Sequence, residues 1–203
     1  MNKTLNIAGV ILAGGKNARI GGKCKAFIQL NDKSFLNIIT SVLEQIFNEI
    51  IIVTNNPSDF TAFINKYSII TDKIKDVGPL GGINSALYHC SAEAIFVVSC
   101  DMPYLNKELI EKQIECYHKS DCDALIPRIG SFIEPLHAIY KKTVFNILQS
   151  FINETRDYSI RNFLKLINVQ YMEIEDNKLN RQAFTNINTH EDFERLNKER
   201  IIA

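Results

Sequence analysis

The sequence predicts a three-layer, doubly wound α/β domain built on a mostly parallel sheet. Two observations carry that prediction. Short β-branched runs alternate with segments whose apolar residues recur at helical spacing. Those runs are apolar throughout rather than on alternate residues, as strands covered on both faces are. At 203 residues the chain suits one such domain with a full core, so a single domain over 1–203 is expected.

The elements follow in order. The first strand is expected over Leu5–Leu12, followed by a Gly-rich loop and a short extended piece at Ala26–Leu30. Ser34 can cap a helix running to about Phe47, whose core face is Phe35, Ile38, Ile39, Val42, Leu43 and Ile46. Glu49–Thr54 reads as a buried strand, and Asn56-Pro57 as the start of a helix with proline in its first turn. A strand at Ser68–Thr71 leads through Asp72 and Asp76 to Gly78-Pro79-Leu80-Gly81-Gly82, which opens a helix through about Cys90. Ala94–Cys100 is the next buried strand, ending at Asp101, and Asn106 caps a helix to His118. Ala124–Pro127 and Ile133–Tyr140 read as strands, Lys142–Ile152 and Ser159–Leu166 as helices, Val169–Ile174 as the last strand and Glu191–Arg200 as the last helix.

Composition narrows the partners. Lys+Arg and Asp+Glu are both 23, so no net field draws the chain to nucleic acid or anionic lipid. A small-molecule partner is expected, with no nucleic acid and no membrane. The five cysteines are scattered and never form a CxxC pair, which argues against a disulfide framework or a zinc site and fits a reducing compartment. The opening run breaks at Gly14-Gly15 without a signal-peptide core, and no apolar stretch reaches about 18 residues. The expectation is a cytoplasmic protein.

In open α/β sheets, ligands bind beyond the carboxyl ends of the strands, so the loops that follow strands are the place to look for chemistry. The first runs from Leu12 to Lys25 and combines four glycines (Gly14, Gly15, Gly21, Gly22) with Lys16, Arg19, Lys23 and Lys25. Glycines let backbone N–H groups approach a phosphate, and the cations supply charge-assisted hydrogen bonds. The loop is neither a Walker A motif, lacking the earlier glycine and the Ser or Thr after Lys23, nor GxGxxG. The second loop is Ser99-Cys100-Asp101-Met102-Pro103, where one carboxylate ends an apolar strand and can hold Mg²⁺ against phosphates. Asp72 is its natural companion, and Gly78–Gly82 is expected to offer backbone to a base or ribose. His89, His118, His137 and His190 have no metal-like spacing and are expected at the surface or the edge of the core.

At these residues the sequence resembles the molybdenum cofactor guanylyltransferases within the broader nucleotidyltransferase family. LAGGKNARIGGKCK is similar to their loop signature. DVGPLGGINSAL, CDMPYL, PLHAIY and FTNINTHEDF follow in the family's order, extending the likeness from Ile7 to Phe193. The resemblance implies a Rossmann-like fold in which Leu12, Ala13, Gly14 and Gly15 wrap GTP. Lys25 would contact its phosphates, Asp72 the nucleotide, and Asp101 the Mg²⁺. Arg19, Lys25 and Asp101 would be catalytic, Asn186 and Asn188 would face the second substrate from a strand-like segment, and Arg161 is a further candidate for a pterin phosphate. Cys24 and Val53 depart from the residues common in the family.

The implied reaction is attack by the terminal phosphate of molybdenum-molybdopterin on the α-phosphorus of GTP, with loss of pyrophosphate. Transient contacts with other cofactor-biosynthesis proteins belong to the same expectation. A phosphate monoester is already ionised, so positioning and charge neutralisation suffice without a strong base. Alternatives from the residues are a cytidylyltransferase or an isoprenoid or sugar nucleotidyltransferase of the same fold, or a catalytically silent nucleotide-binding regulator.

Overall fold

The computed structural model of the chain describes residues 6–14, 19–20, 23–30, 32–72, 74, 76–188 and 192, with the backbone alone at 19, 20 and 23. Strand β1 (Ile7–Leu12) is followed by two short hairpins, β2 (Arg19–Ile20) with β3 (Lys23–Cys24) and β4 (Gln29–Leu30) with β5 (Lys33–Ser34). Next come α1 (Phe35–Leu43), β6 (Ile50–Thr54), a 3-10 stretch over Pro57–Phe63, and β7 (Ser68–Thr71). The chain continues through α2 (Pro79–His89), β8 (Ala94–Ser99), α3 (Lys107–His118), β9 (Ala124–Ile129), β10 (Phe132–Ile133) and β11 (His137–Lys141). It closes with α4 (Phe145–Glu154), α5 (Ile160–Leu164), β12 (Val169–Glu173) and α6 (Lys178–Ala183).

Among the described residues the large sheet is eight-stranded. Strands β7, β6, β1 and β8 are parallel neighbours in that order. Strand β11 runs antiparallel to β8 and β9, while β12 pairs β9 in parallel. The predicted mostly parallel, doubly wound sheet is therefore the observed one, with β11 and the short β10 as its reversed members.

The alternation of side chains along β1 explains the three layers. Ile7 and Ile11 join a core built with α1, α3 and Phe60, while Ala8, Val10 and Leu12 join a second core with α2, α4 and α5. Both faces are covered, which is why the strand reads as a continuous apolar run. Each fully buried Leu or Ile side chain contributes roughly 1.5–3 kcal/mol.

Local chemistry sets the element ends. Ser34 Oγ accepts the Asn37 N–H at 3.1 Å, capping α1, and Asn106 Oδ1 accepts the Leu109 N–H at 3.2 Å, capping α3. Helix α1 stops at Leu43 rather than near Phe47, where Gln45 and Ile46 donate three residues back, to the Val42 and Leu43 carbonyls at 3.2 and 3.0 Å, and tighten the last turn out of α geometry. That turn returns Phe47 to the core, where it stacks on Phe96 with ring centroids 5.5 Å apart.

Several expectations are corrected. The Asn56-Pro57 helix is a 3-10 stretch. The strand expected over 133–140 is two strands, interrupted where Pro135 lacks an N–H and the Glu134 carboxylate takes the Leu136 N–H at 3.0 Å. The segment carrying Asn186 and Asn188 is irregular chain rather than strand, exposing both asparagines on either side of the buried Ile187. Helix α6, unanticipated, starts where Asn177 Oδ1 accepts the Asn180 N–H at 2.9 Å. The helix expected over Glu191–Arg200 lies, apart from Asp192, outside the described residues, as do Leu5, Gly15, Lys16, Gly21 and Gly22. Among the described residues no helix is long and apolar enough to cross a membrane.

Candidate active site

Strand order reverses at β1. The chain leaves β1 for β6 on one side, then returns through α2 to β8 on the other. Such a switch point leaves a crevice beyond the carboxyl ends of the two central strands. Leu12 pairs with Ser99 there, and the Cys100 N–H donates to the Leu12 carbonyl at 3.0 Å. The register sets Ala13 and Gly14 beside Cys100 and Asp101.

Lys25 enters this crevice from a 3-10 turn that follows β3. Its side chain is only 3% exposed, so its ammonium needs partners, and it has two. Nζ donates to Asp101 Oδ2 at 3.1 Å and to Asn188 Oδ1 at 2.7 Å. The Ile187 N–H donates to the Asp101 carbonyl at 2.9 Å, clamping the C-terminal segment to the end of β8. The structure thus brings together Leu12, Ala13, Gly14, Lys25, Asp101 and Asn188. Asn186 stands exposed two positions away. Arg19 pairs Cys24 through its backbone in β2, and its side chain, like all of Gly15, lies outside the described residues.

Asp101 Oδ1 is buried and has no hydrogen-bond partner among the described residues. A hard divalent cation fits such an oxygen, because Mg²⁺ takes few protein carboxylates and fills its shell with phosphate oxygens and water. Among the described residues no group of three or more His, Cys, Asp or Glu forms a metal cage. Burial pushes the neighbouring Cys100 thiol far up, with the Asp101 charge adding to it, so that sulfur packs and does not attack.

Asp72 lies over the first turn of α2. Oδ1 accepts the Ile74 N–H at 3.0 Å, and burial pushes the carboxyl up against that bond and one from Ser85. A Cβ on Gly81 would come within 2.6 Å of Asp72 Oδ2 and 2.7 Å of the Ile74 carbonyl, and one on Gly82 within 2.9 Å of Leu12 Cδ2. These two glycines admit protein atoms, and within Gly78–Gly82 the exposed residues are Gly78 and Pro79. At the departure sites, the Val53 carbonyl accepts the Ala13 N–H at 2.8 Å, and Asn55 packs against Gly14. Arg161 is on α5, lining a separate groove of about 560 Å³ with Lys165 and Tyr171, to which none of Lys25, Asp101 and Asn188 belongs.

Glu134 escapes the sequence reading, and His137 is not where that reading expects it. Glu134 precedes β11 and is 7% exposed; burial pushes its carboxyl up to about 7, the nearby Asp101 charge adding to the rise. His137 is fully buried between the edges of Phe96 and Phe184, at 5.0 and 5.1 Å, not at the core's margin. Neither of its ring nitrogens has a partner among the described residues, and burial pulls its pKa down to about 4. A carboxylate and an imidazole within the apolar run Ile133–Tyr140 were the available signal.

This sheet, with its glycine loop and its lysine–carboxylate pair at the switch point, is that of a nucleotidyltransferase. Residues 9–173 match the family model described as MobA-like NTP transferase domain, and the chain belongs to that family. It is 37% identical over 193 residues to a protein of Peptoclostridium acidaminophilum named "Probable molybdenum cofactor guanylyltransferase", covering 91% of this chain and 85% of that one. It is 32% identical over 195 residues to the molybdenum cofactor guanylyltransferase of Syntrophotalea carbinolica, covering 94% and 90%. Among solved structures, molybdopterin-guanine dinucleotide biosynthesis protein A from Archaeoglobus fulgidus superposes with a TM-score of 0.80 at 27% identity, covering 97% of this chain and all of that one.

Proposed function

We propose that the chain, as a single domain, transfers GMP from GTP to molybdenum-molybdopterin, forming the guanine dinucleotide form of the cofactor and releasing pyrophosphate in the cytoplasm. The observation that supports this most directly is the Lys25–Asp101–Asn188 contact at the switch point, in a chain whose relatives carry that name.

In this reading Leu12, Ala13, Gly14 and Gly15, where β1 gives way to its loop, wrap the nucleotide. Asp72 steadies the nucleotide side of the crevice from the first turn of α2. Lys25, with Arg19, neutralises charge on the α-phosphate and on the leaving pyrophosphate. Asn188 keeps the Lys25 ammonium oriented, and Asn186 and Asn188 face the second substrate. Asp101 holds Mg²⁺ through Oδ1, and the cation supplies Lewis-acid neutralisation of the phosphate oxygens. An oxygen of the terminal phosphate of molybdopterin forms a bond to the α-phosphorus. The bond from that phosphorus to the bridging oxygen breaks, and its electron pair leaves with pyrophosphate. No proton need move, which agrees with a site that uses no histidine.

The test is pyrophosphate release with Mg²⁺, molybdenum-loaded molybdopterin and each of GTP, CTP and ATP, beside Asp101→Ala. Release with GTP alone supports the reading. Release with CTP replaces the guanylyl donor, and silence with all three favours a nucleotide-binding regulator.

A further inference from the structure

Strand β11 runs antiparallel to β8 with His137 opposite Val98, so the residues entering β11 lie alongside those leaving β8. Continuing that register three residues past the His137–Val98 pair brings Glu134 toward Asp101, near enough for the Asp101 charge to act on it. The Glu134 backbone is pinned there on both sides, its N–H donating to the Pro127 carbonyl at 3.1 Å and its carbonyl accepting the His137 N–H at 3.2 Å. The residue is 7% exposed. Among the described residues its carboxylate accepts one hydrogen bond, from the Leu136 N–H, and pairs with no cation. Lys25 is committed to Asp101 Oδ2 and Asn188, while Asp101 Oδ1 has no partner among the described residues.

Two carboxyl groups in a buried corner, with one balancing ammonium among the described residues, cannot both ionise without a cost in free energy unless a cation shares their charge. We infer that Glu134 is the second carboxylate of the divalent-cation site formed around Asp101, raising that site's affinity for the metal that accompanies the nucleotide. The inference rests on the Asp101 assignment above and adds a residue to it. Glu134 acts on the cation and not on the reacting atoms, so it is a positioning residue.

The test reads binding rather than turnover. GTP affinity is measured by calorimetry with Mn²⁺ and with EDTA, on the wild-type chain, Glu134→Gln and Asp101→Asn. Glutamine keeps the volume and the acceptor for the Leu136 N–H, and a melting curve checks that the variant folds. Glu134→Gln should bind GTP in EDTA as tightly as wild type or tighter, and lose on the order of 10- to 100-fold of the affinity gained with Mn²⁺. Glu134→Asp, which keeps the charge, should retain more of that gain than Glu134→Gln. An unchanged Mn²⁺ gain in Glu134→Gln overturns the inference. If Asp101→Asn alone loses the gain, the Asp101 assignment stands without Glu134; if neither variant loses it, both fall.

Discussion

The Lys25 ammonium lies 3.1 Å from the Asp101 carboxylate across 76 positions of sequence, and the two side chains are 3% and 14% exposed. A pair this sheltered costs more to break than a surface bridge, because the remaining partner keeps its charge without water. Lys25→Met and Asp101→Asn should each destabilise the fold by about 1–3 kcal/mol. The double variant should be less destabilised than the sum, while activity stays lower by on the order of 100- to 1,000-fold in all three. Urea denaturation and pyrophosphate release check this; additive stabilities would mean the pair carries no coupling.

Asn188 and Asn186 should separate kinetically. Asn188 accepts from Lys25 Nζ at 2.7 Å, so Asn188→Ala frees the ammonium and should lower kcat about tenfold or more. Asn186, exposed, should leave kcat within a few-fold and raise KM for the second substrate when changed to alanine. Steady-state kinetics with each substrate varied distinguishes the two.

Gly81→Ala and Gly82→Ala should differ in cost although they are neighbours. A Cβ at Gly81 meets the Ile74 backbone carbonyl at 2.7 Å, which cannot give way, and should destabilise by about 1–3 kcal/mol. At Gly82 the obstacle is the end of the Leu12 side chain at 2.9 Å, which can rotate, so the cost should be smaller. Equal melting temperatures for the two variants would contradict this.

Stability should depend on pH through two buried groups of opposite sign. His137 is held near 4 against an ordinary value of 6.5, so the unfolded chain binds more protons between those values; stability is full above about 6.5 and falls as pH drops through 4. Glu134 is raised from 4.5 to about 7, so the folded state binds more protons; its contribution is present below 4.5 and is lost as pH rises through 7. Between 4.5 and 6.5 the two slopes oppose each other. Glu134→Gln should therefore steepen the acid loss in metal-free protein, and His137→Phe should reverse the slope, each by up to about 3 kcal/mol over its window. Denaturation midpoints across pH 4 to 8 check the sign.

What was legible and what was not divides by range of interaction. The β1 and β8 strands, the Ser34 and Asn106 caps and the loops ending in Gly14 and Asp101 follow from local rules: β-branched runs form covered strands, hydroxyl and amide side chains cap helices, and chemistry gathers where strands end. Ile133–Tyr140 reads locally as one strand, yet Pro135 and the Glu134 carboxylate break it, and neither effect is visible to an apolar pattern. The Asn186–Asn188 segment looks like a strand by alternation, but its partners are Lys25 and Asp101 rather than another strand.

By itself the sequence determined the fold class, the order of the elements and the two loops that carry the chemistry, because each depends on residues within a few positions of one another. Only the tertiary structure decided how distant elements come together: that Lys25 bonds both Asp101 and Asn188, that Gly81 is small to admit Asp72, and that Glu134 is buried at the entry to β11, near enough to feel the Asp101 charge. Those contacts join different elements of the fold, and those of Lys25, Asp101 and Asn188 draw their strength from exclusion of water at the ends of β1 and β8, which no stretch of sequence contains.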